Sequence, residues 1–185
     1  IIQSLRKYYT FYGSQYLYEF PTGSGNKMNL NEIAKELTKR LVKLFARNPD
    51  TGQAKWAYQM TPHDAWDYDG INESVLIDLQ TNGKAQQVLV HFDRNGFAYT
   101  LDRETGEFLW ANPTVTQNVI SGIDGATGEV TANSEVVFTQ PGQQVFACPT
   151  WNGGKDWEAG AYSPLTNMMY MPLRNACARM LATQA

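Results

Sequence analysis

The apolar positions of this chain follow two different periods. Leu30, Ile33, Leu37, Leu41 and Leu44 recur every three or four residues, the spacing that lines one face of a helix. Glu36 and Arg40 add an i,i+4 pair of opposite charges. The pattern predicts an amphipathic helix over 29–47. Ahead of it, a Tyr- and Phe-rich start loosens into Pro21-Thr22-Gly23-Ser24-Gly25-Asn26, which reads as one or two strands and a flexible joint. From Phe45 onward the period changes to short runs broken by turn formers. Val88–Phe92 and Gly96–Thr100 are predicted strands around the turn Asp93-Arg94-Asn95-Gly96.

The second region also repeats itself. The stretch Ala46 to Trp56 is echoed by Tyr99 to Trp110, more weakly by Ile123 to Gly128, and in degenerate form by Tyr162 to Asn167. The shared core is Asp-x-x-Thr-Gly, with Trp56 and Trp110 four residues after the glycine in the two best copies. Thr-Gly marks a tight hairpin turn that needs a permissive backbone. The tryptophan is expected to pack on the turn or between neighbouring sheets. Thr51 and Thr105 are 54 apart, about the length of one four-stranded propeller blade. Three blades at most fit here, and an open stack of blades exposes two sheet faces.

Composition narrows the function. Aromatics make up 12% of the 185 residues and charged residues only 18%, which suits a β-rich globular body. Net charge is −3, unevenly spread. Residues 1–47 carry eight Lys/Arg against three Asp/Glu, and residues 48–185 carry seven against fifteen. The acidic body argues against nucleic acid as a partner. Packing is the simpler role for the basic helix, though such helices also suit a membrane surface or a partner. No stretch approaches the ~18 apolar residues of a membrane span. The first residue is Ile1, so the true start is expected to lie upstream. Cys148 and Cys177 are compatible with one disulfide or with two buried thiols.

The chemistry is concentrated in Pro62-His63-Asp64-Ala65-Trp66-Asp67-Tyr68-Asp69-Gly70. Side chains two apart in an extended or turned backbone point the same way. Asp67 and Asp69 can therefore converge, with Trp66 and Tyr68 walling the other side. Two convergent carboxylates repel unless a cation or proton sits between them. The functional reading is a hard-cation site with one carboxylate free to act as a base. The plain alternative is a surface turn, since Asp and Gly form turns anyway.

From Phe45 to the end the chain resembles the quinoprotein alcohol dehydrogenases, pyrroloquinoline quinone (PQQ) enzymes built as eight-bladed propellers. Four ordered motifs carry the resemblance: the Trp-ended turn, Thr61 to Gly70, His91 to Gly96, and Cys148-Pro149 through Gly153-Gly154-Lys155-Asp156-Trp157. It implies an all-β fold, a fragment of about three blades over 45–185, preceded by a non-family segment 1–44 of unknown role. It implies Asp67 as catalytic base and metal ligand, and Arg94 as donor to the quinone oxygens. Asp156 and Trp157 would contact the cofactor, although core packing is the stronger expectation for Trp157. Asp69 resembles the extra ligand of the lanthanide-dependent members, so a lanthanide is favoured over Ca²⁺. The family's bridge falls at Cys148 and Cys177. His63 and His91 match no role and are expected to be structural.

The same resemblance implies a small primary alcohol as substrate, a c-type cytochrome as electron acceptor, a periplasmic location and a homodimer. The family's other metal ligands, a Glu and an Asn, and its adjacent-cysteine pair have no match here. The chain is therefore expected to be an incomplete piece, without alcohol oxidation by itself. The rival class is a non-enzymatic propeller scaffold, which does not need Asp67, Asp69 and Arg94 to converge.

Overall fold

A central strand with four consecutive buried residues organises the protein. In the computed structural model, which describes residues 51–183 without 52, 69, 71 and 82, β2 (Lys84–Phe92) buries Val88, Leu89, Val90 and His91. A strand covered on both faces loses the apolar–polar alternation of a half-exposed one. It lies in a four-stranded antiparallel sheet of order β1-β2-β3-β4, with β1 (Ser74–Thr81), β3 (Phe97–Asp102) and β4 (Phe108–Pro113). Both strands expected from the sequence are present, joined by the expected turn.

The pleat sorts the core. Val88 and Val90 face one side, packed with Ile77 of β1. Tyr99 pairs across from His91 and belongs to a larger cluster with Trp66, Tyr68, Val119, Ile120 and Val145. One blade is thus complete, with packed side chains on both faces.

Beyond it come three two-stranded ladders. β5 (Ile120–Ile123) pairs with β6 (Val130–Ala132), and β8 (Ala161–Ser163) with β9 (Met168–Tyr170). β7 (Gln144–Ala147) pairs with the distant β10 (Ala178–Leu181). Ala147 lies opposite Ala178, so the register sets Cys148 beside Cys177. The two are joined, with Cα atoms 4.4 Å apart. The described residues are all-β, as expected, with one short 3₁₀ turn at Ser134–Val136. The chain divides after Ala57, and Tyr58–Ala185 forms a unit in itself. Segment 1–44 and the helix expected over 29–47 lie outside the described residues.

The Thr-Gly turns are built alike. Oδ1 of Asp102 accepts from the N–H groups of Glu104 and Thr105 and from Thr105 Oγ1, at 2.8–3.0 Å. Asp124 repeats the pattern with Ala126 and Thr127 at 2.7–2.9 Å. Gly106 and Gly128 take φ of +79° and +76°, where a side chain is strained. In the degenerate copy Asn167 holds that place, at φ +53°, the residue best able to replace glycine there.

A phenylalanine also docks between turns. Trp110 keeps 39% of its surface exposed. Phe108, two residues earlier, rests on the next turn: a methyl on Gly128 would lie 2.4 Å from its Cβ. Tyr58 stacks on Phe108 at 6.0 Å and donates its hydroxyl to Gly128 O. Phe108 fills the space because the glycine has no side chain to occupy it.

Candidate active site

Loop 61–70 is held by its aromatics and by Asp64. Oδ1 and Oδ2 of Asp64 accept from the N–H groups of Trp66 and Tyr68, both at 2.9 Å, closing the turn locally. Trp66 donates Nε1–H to Val136 O at 2.9 Å, and Tyr68 donates its hydroxyl to Pro149 O at 2.6 Å. Both rings are buried and lie 5.8 Å apart. Burial first, then the negative charges of Asp64 and Asp93, push the Tyr68 phenol above its usual range. It therefore remains a donor. The two pegs leave Asp67, between them, facing outward and exposed. Its φ is +69°, uncommon for a residue other than glycine and a mark of functional or strained positions.

Arg94 meets this loop from the β2–β3 turn. Nη1 donates to the main-chain oxygen of Asp67 at 2.8 Å and to that of Trp151 at 3.3 Å, and Nη2 pairs with Asp156 Oδ1 at 2.5 Å. Arg94 and Asp156 are both buried, and breaking such a pair by removing one partner costs about 3–5 kcal/mol. Nε of Arg94 is buried with no acceptor among the described residues. Gly153, at φ +76°, passes so close that a methyl there would lie 2.6 Å from Arg94 Cβ.

Three of the expected site residues thus come together. Asp67 O, Arg94 and Asp156 are linked directly, while the Asp67 carboxylate makes no hydrogen bond or ion pair among the described residues. Trp157 follows Asp156 but is 59% exposed, which corrects its expected place in the core. Asp156 is turned onto the buried Arg94, and the chain bends at Trp157, where burial ends. Asp69 lies outside the described residues. Among the described residues no group of three or more His, Cys, Asp or Glu gathers as a metal site. His91 is buried, with Nδ1 3.2 Å from Ser74 Oγ and Nε2 3.4 Å from Asp93.

A buried polar network supports Arg94 from beneath. Asp93 Oδ2 accepts from Thr61 Oγ1 at 2.9 Å and from Asn95 N at 3.3 Å. Asn95 Nδ2 reaches Met60 O, Thr61 Oγ1 and Tyr99 Oη at 2.8–3.1 Å. Asp93, Asn95 and Tyr99 are nearly inaccessible to water, so these bonds satisfy groups that would otherwise carry a desolvation penalty. Sequence reasoning passed over Asp93 and Asn95 as turn formers. The signal present was their position on either side of Arg94.

The β-propeller domain model of the glucose/ethanol/alcohol dehydrogenase (PQQ) family matches residues 42–134, about half of the chain. The chain belongs to the PQQ dehydrogenase family. A lanthanide-dependent methanol dehydrogenase of Methylacidiphilum fumariolicum is 48% identical over 134 residues, covering 72% of this chain and 22% of that protein. Another lanthanide-dependent methanol dehydrogenase, from Methylorubrum extorquens, is 44% identical over 167 residues, covering 84% and 28%. Among solved structures, a europium-containing methanol dehydrogenase superposes with a TM-score of 0.67 at 48% identity, over 73% of this chain and 23% of that one. The chain thus spans about a quarter of the length of these PQQ relatives. Their sequence likeness reaches the lanthanide-dependent branch of the family, as the motifs from Phe45 onward implied.

Proposed function

We propose that this chain forms part of the active site of a PQQ-dependent alcohol dehydrogenase of the lanthanide type, which oxidises a primary alcohol to an aldehyde. The observation that supports it most is Arg94, held between the Asp67 main-chain oxygen and the Asp156 carboxylate, with the Asp67 side chain exposed. A scaffold protein has no need of a buried guanidinium fixed to the main chain of a residue whose exposed carboxylate has no partner among the described residues.

The residues fit the group in charge and in donor type. Arg94 would donate to the anionic and quinone oxygens of PQQ, with Asp156 fixing its plane. Trp157 would add a contact from its exposed ring. Asp67 and Asp69 would hold the metal through hard carboxylate oxygens, and the second carboxylate favours an ion of higher charge than Ca²⁺. When bound, PQQ supplies the hydride acceptor and the metal a Lewis acid. Asp67 takes the proton of the alcohol, a step that a well-placed base accelerates by ~10²–10⁴-fold. Trp66 and Tyr68 contribute by fixing the loop, which keeps that carboxylate in one place. Electrons would leave to a c-type cytochrome in the periplasm.

The test is metal dependence in an enzyme assembled by placing residues 58–183 in the frame of a lanthanide-dependent methanol dehydrogenase. Turnover with La³⁺ or Ce³⁺, little with Ca²⁺, and loss of lanthanide activity in Asp69→Ala are expected. Equal Ca²⁺ activity, or an unaffected Asp69→Ala, rejects the lanthanide assignment. No turnover with any metal, in a folded protein, favours the scaffold reading.

A further inference from the structure

We infer that Lys155 is a positioning residue for the Arg94–Asp156 pair, acting through its buried ammonium. Its functional weight rests on the quinone reading above, whereas its effect on Arg94 does not.

Lysine is rarely buried unless fully paired. Here the Lys155 side chain has no exposed surface. An ammonium has three donors, and each finds an acceptor: Glu73 Oε2 at 3.2 Å, Asp156 O at 2.5 Å, and Glu158 O. Two of these are main-chain oxygens of the segment that carries Asp156. The third belongs to the residue just before β1. The ammonium therefore draws segment 156–158 onto the start of the blade.

Neighbouring bonds give the clamp a fixed base. Asn72 Nδ2 donates to Lys155 O at 3.1 Å and to Phe92 O at 2.7 Å. Gly154 N donates to Arg94 O at 2.8 Å. The other oxygen of Glu73 accepts from Gly160 N at 2.6 Å. Burial works against the Glu73 charge, but the Gly160 N–H and Lys155 outweigh it and hold the carboxyl below its usual value. Asn72 and Glu73, adjacent in sequence, thus grip Lys155 by its main chain and its side chain. Asp156 leaves this clamp with its carbonyl occupied by the ammonium and its carboxylate on Arg94. Without the ammonium, nothing among the described residues holds the Asp156 main-chain oxygen, and the ion pair with Arg94 is left to fix the carboxylate by itself.

The experiment uses the full chain without cofactor, so its failure is distinct from failure of the quinone reading. Guanidinium N–H resonances of ¹⁵N-labelled protein are recorded, with Arg94 assigned by its absence in Arg94→Lys. The parent should show slowly exchanging Arg94 Nη–H signals. In Lys155→Met, which keeps length but removes the ammonium, these should exchange at least about tenfold faster while amide signals of the Asn95–Tyr99 network stay in place. A purely structural role would instead lower overall stability and leave Arg94 protected in the folded fraction. Unchanged Arg94 exchange in a folded Lys155→Met, or no protected Arg94 signal in the parent, overturns the inference. Should Lys155→Met fail to fold, Glu73→Gln decides. Selective loss of Arg94 protection there supports the clamp; unchanged protection, or general unfolding, overturns it.

Discussion

Gly153 lies against Arg94, leaving no room for a methyl group: its Cβ would fall 2.6 Å from Arg94 Cβ and 2.9 Å from Arg94 Cα. The alanine variant should therefore both strain a left-handed backbone and push the arginine out. Left-handed strain costs roughly 1–2 kcal/mol, and overpacking a filled site about 1–3 kcal/mol more. Gly83 is the control, at φ +75° with nothing within 4 Å. Denaturant unfolding should place Gly153→Ala well below Gly83→Ala in stability. Equal losses would mean that Arg94 yields without cost.

The paired Thr-Gly turns predict an acid limb. Hydrogen bonds from Thr105 and Glu104 hold Asp102 below the ordinary value of 3.8, with the Thr105 N–H the largest cause. Hydrogen bonds from Thr127 and Ala126 do the same for Asp124. A depressed folded-state value stabilises the fold above the unfolded value, and the benefit disappears as pH falls through the folded one. Stability should thus be flat near neutrality and drop below about pH 4. Asp124 is exposed and Asp102 only partly covered, so the effect of each is small. Asp102→Asn with Asp124→Asn keeps an acceptor oxygen in each turn and should flatten this limb. A slope unchanged by the double substitution would assign the acid loss elsewhere.

What was legible in the sequence follows the range of the interactions. The bonds at Asp102 and Asp124 span two or three residues, so residue type and spacing disclose them. Strands β2 and β3 announced themselves by apolar runs around a turn. Arg94 and Asp156 are 62 residues apart, and only likeness to a family joined them before the fold was known. Lys155 gave no local sign, because two of its acceptors are main-chain oxygens that every residue carries and the third, Glu73, lies 82 residues away. Asp93 and Asn95 read as turn formers, and their partners at Thr61 and Met60 lie more than thirty residues away. The docking of Phe108 was not legible, because the hollow it fills is left by Gly128, twenty residues further on.

Reduction of the disulfide should weaken the protein measurably. Cys148 and Cys177 close a loop of 29 residues, for which chain entropy gives ~3–4 kcal/mol. Unfolding midpoints with and without reductant, compared with Cys148→Ala/Cys177→Ala, measure it. A difference under about 1 kcal/mol would show that the β7–β10 ladder alone holds this end.

In the assembled enzyme, Asp67→Asn should abolish turnover while retaining much of the cofactor. Asparagine keeps the shape but cannot take a proton. A fall in kcat of less than about tenfold, equivalent to ~1.4 kcal/mol, would remove Asp67 from the role of base. Retained cofactor absorbance separates a chemical defect from a binding one.

Arg94 grips Asp67 by the peptide oxygen, a group that every amino acid carries. The anchor is therefore indifferent to which side chain stands at position 67. The left-handed backbone there is more selective, and favours asparagine or glycine over a branched residue.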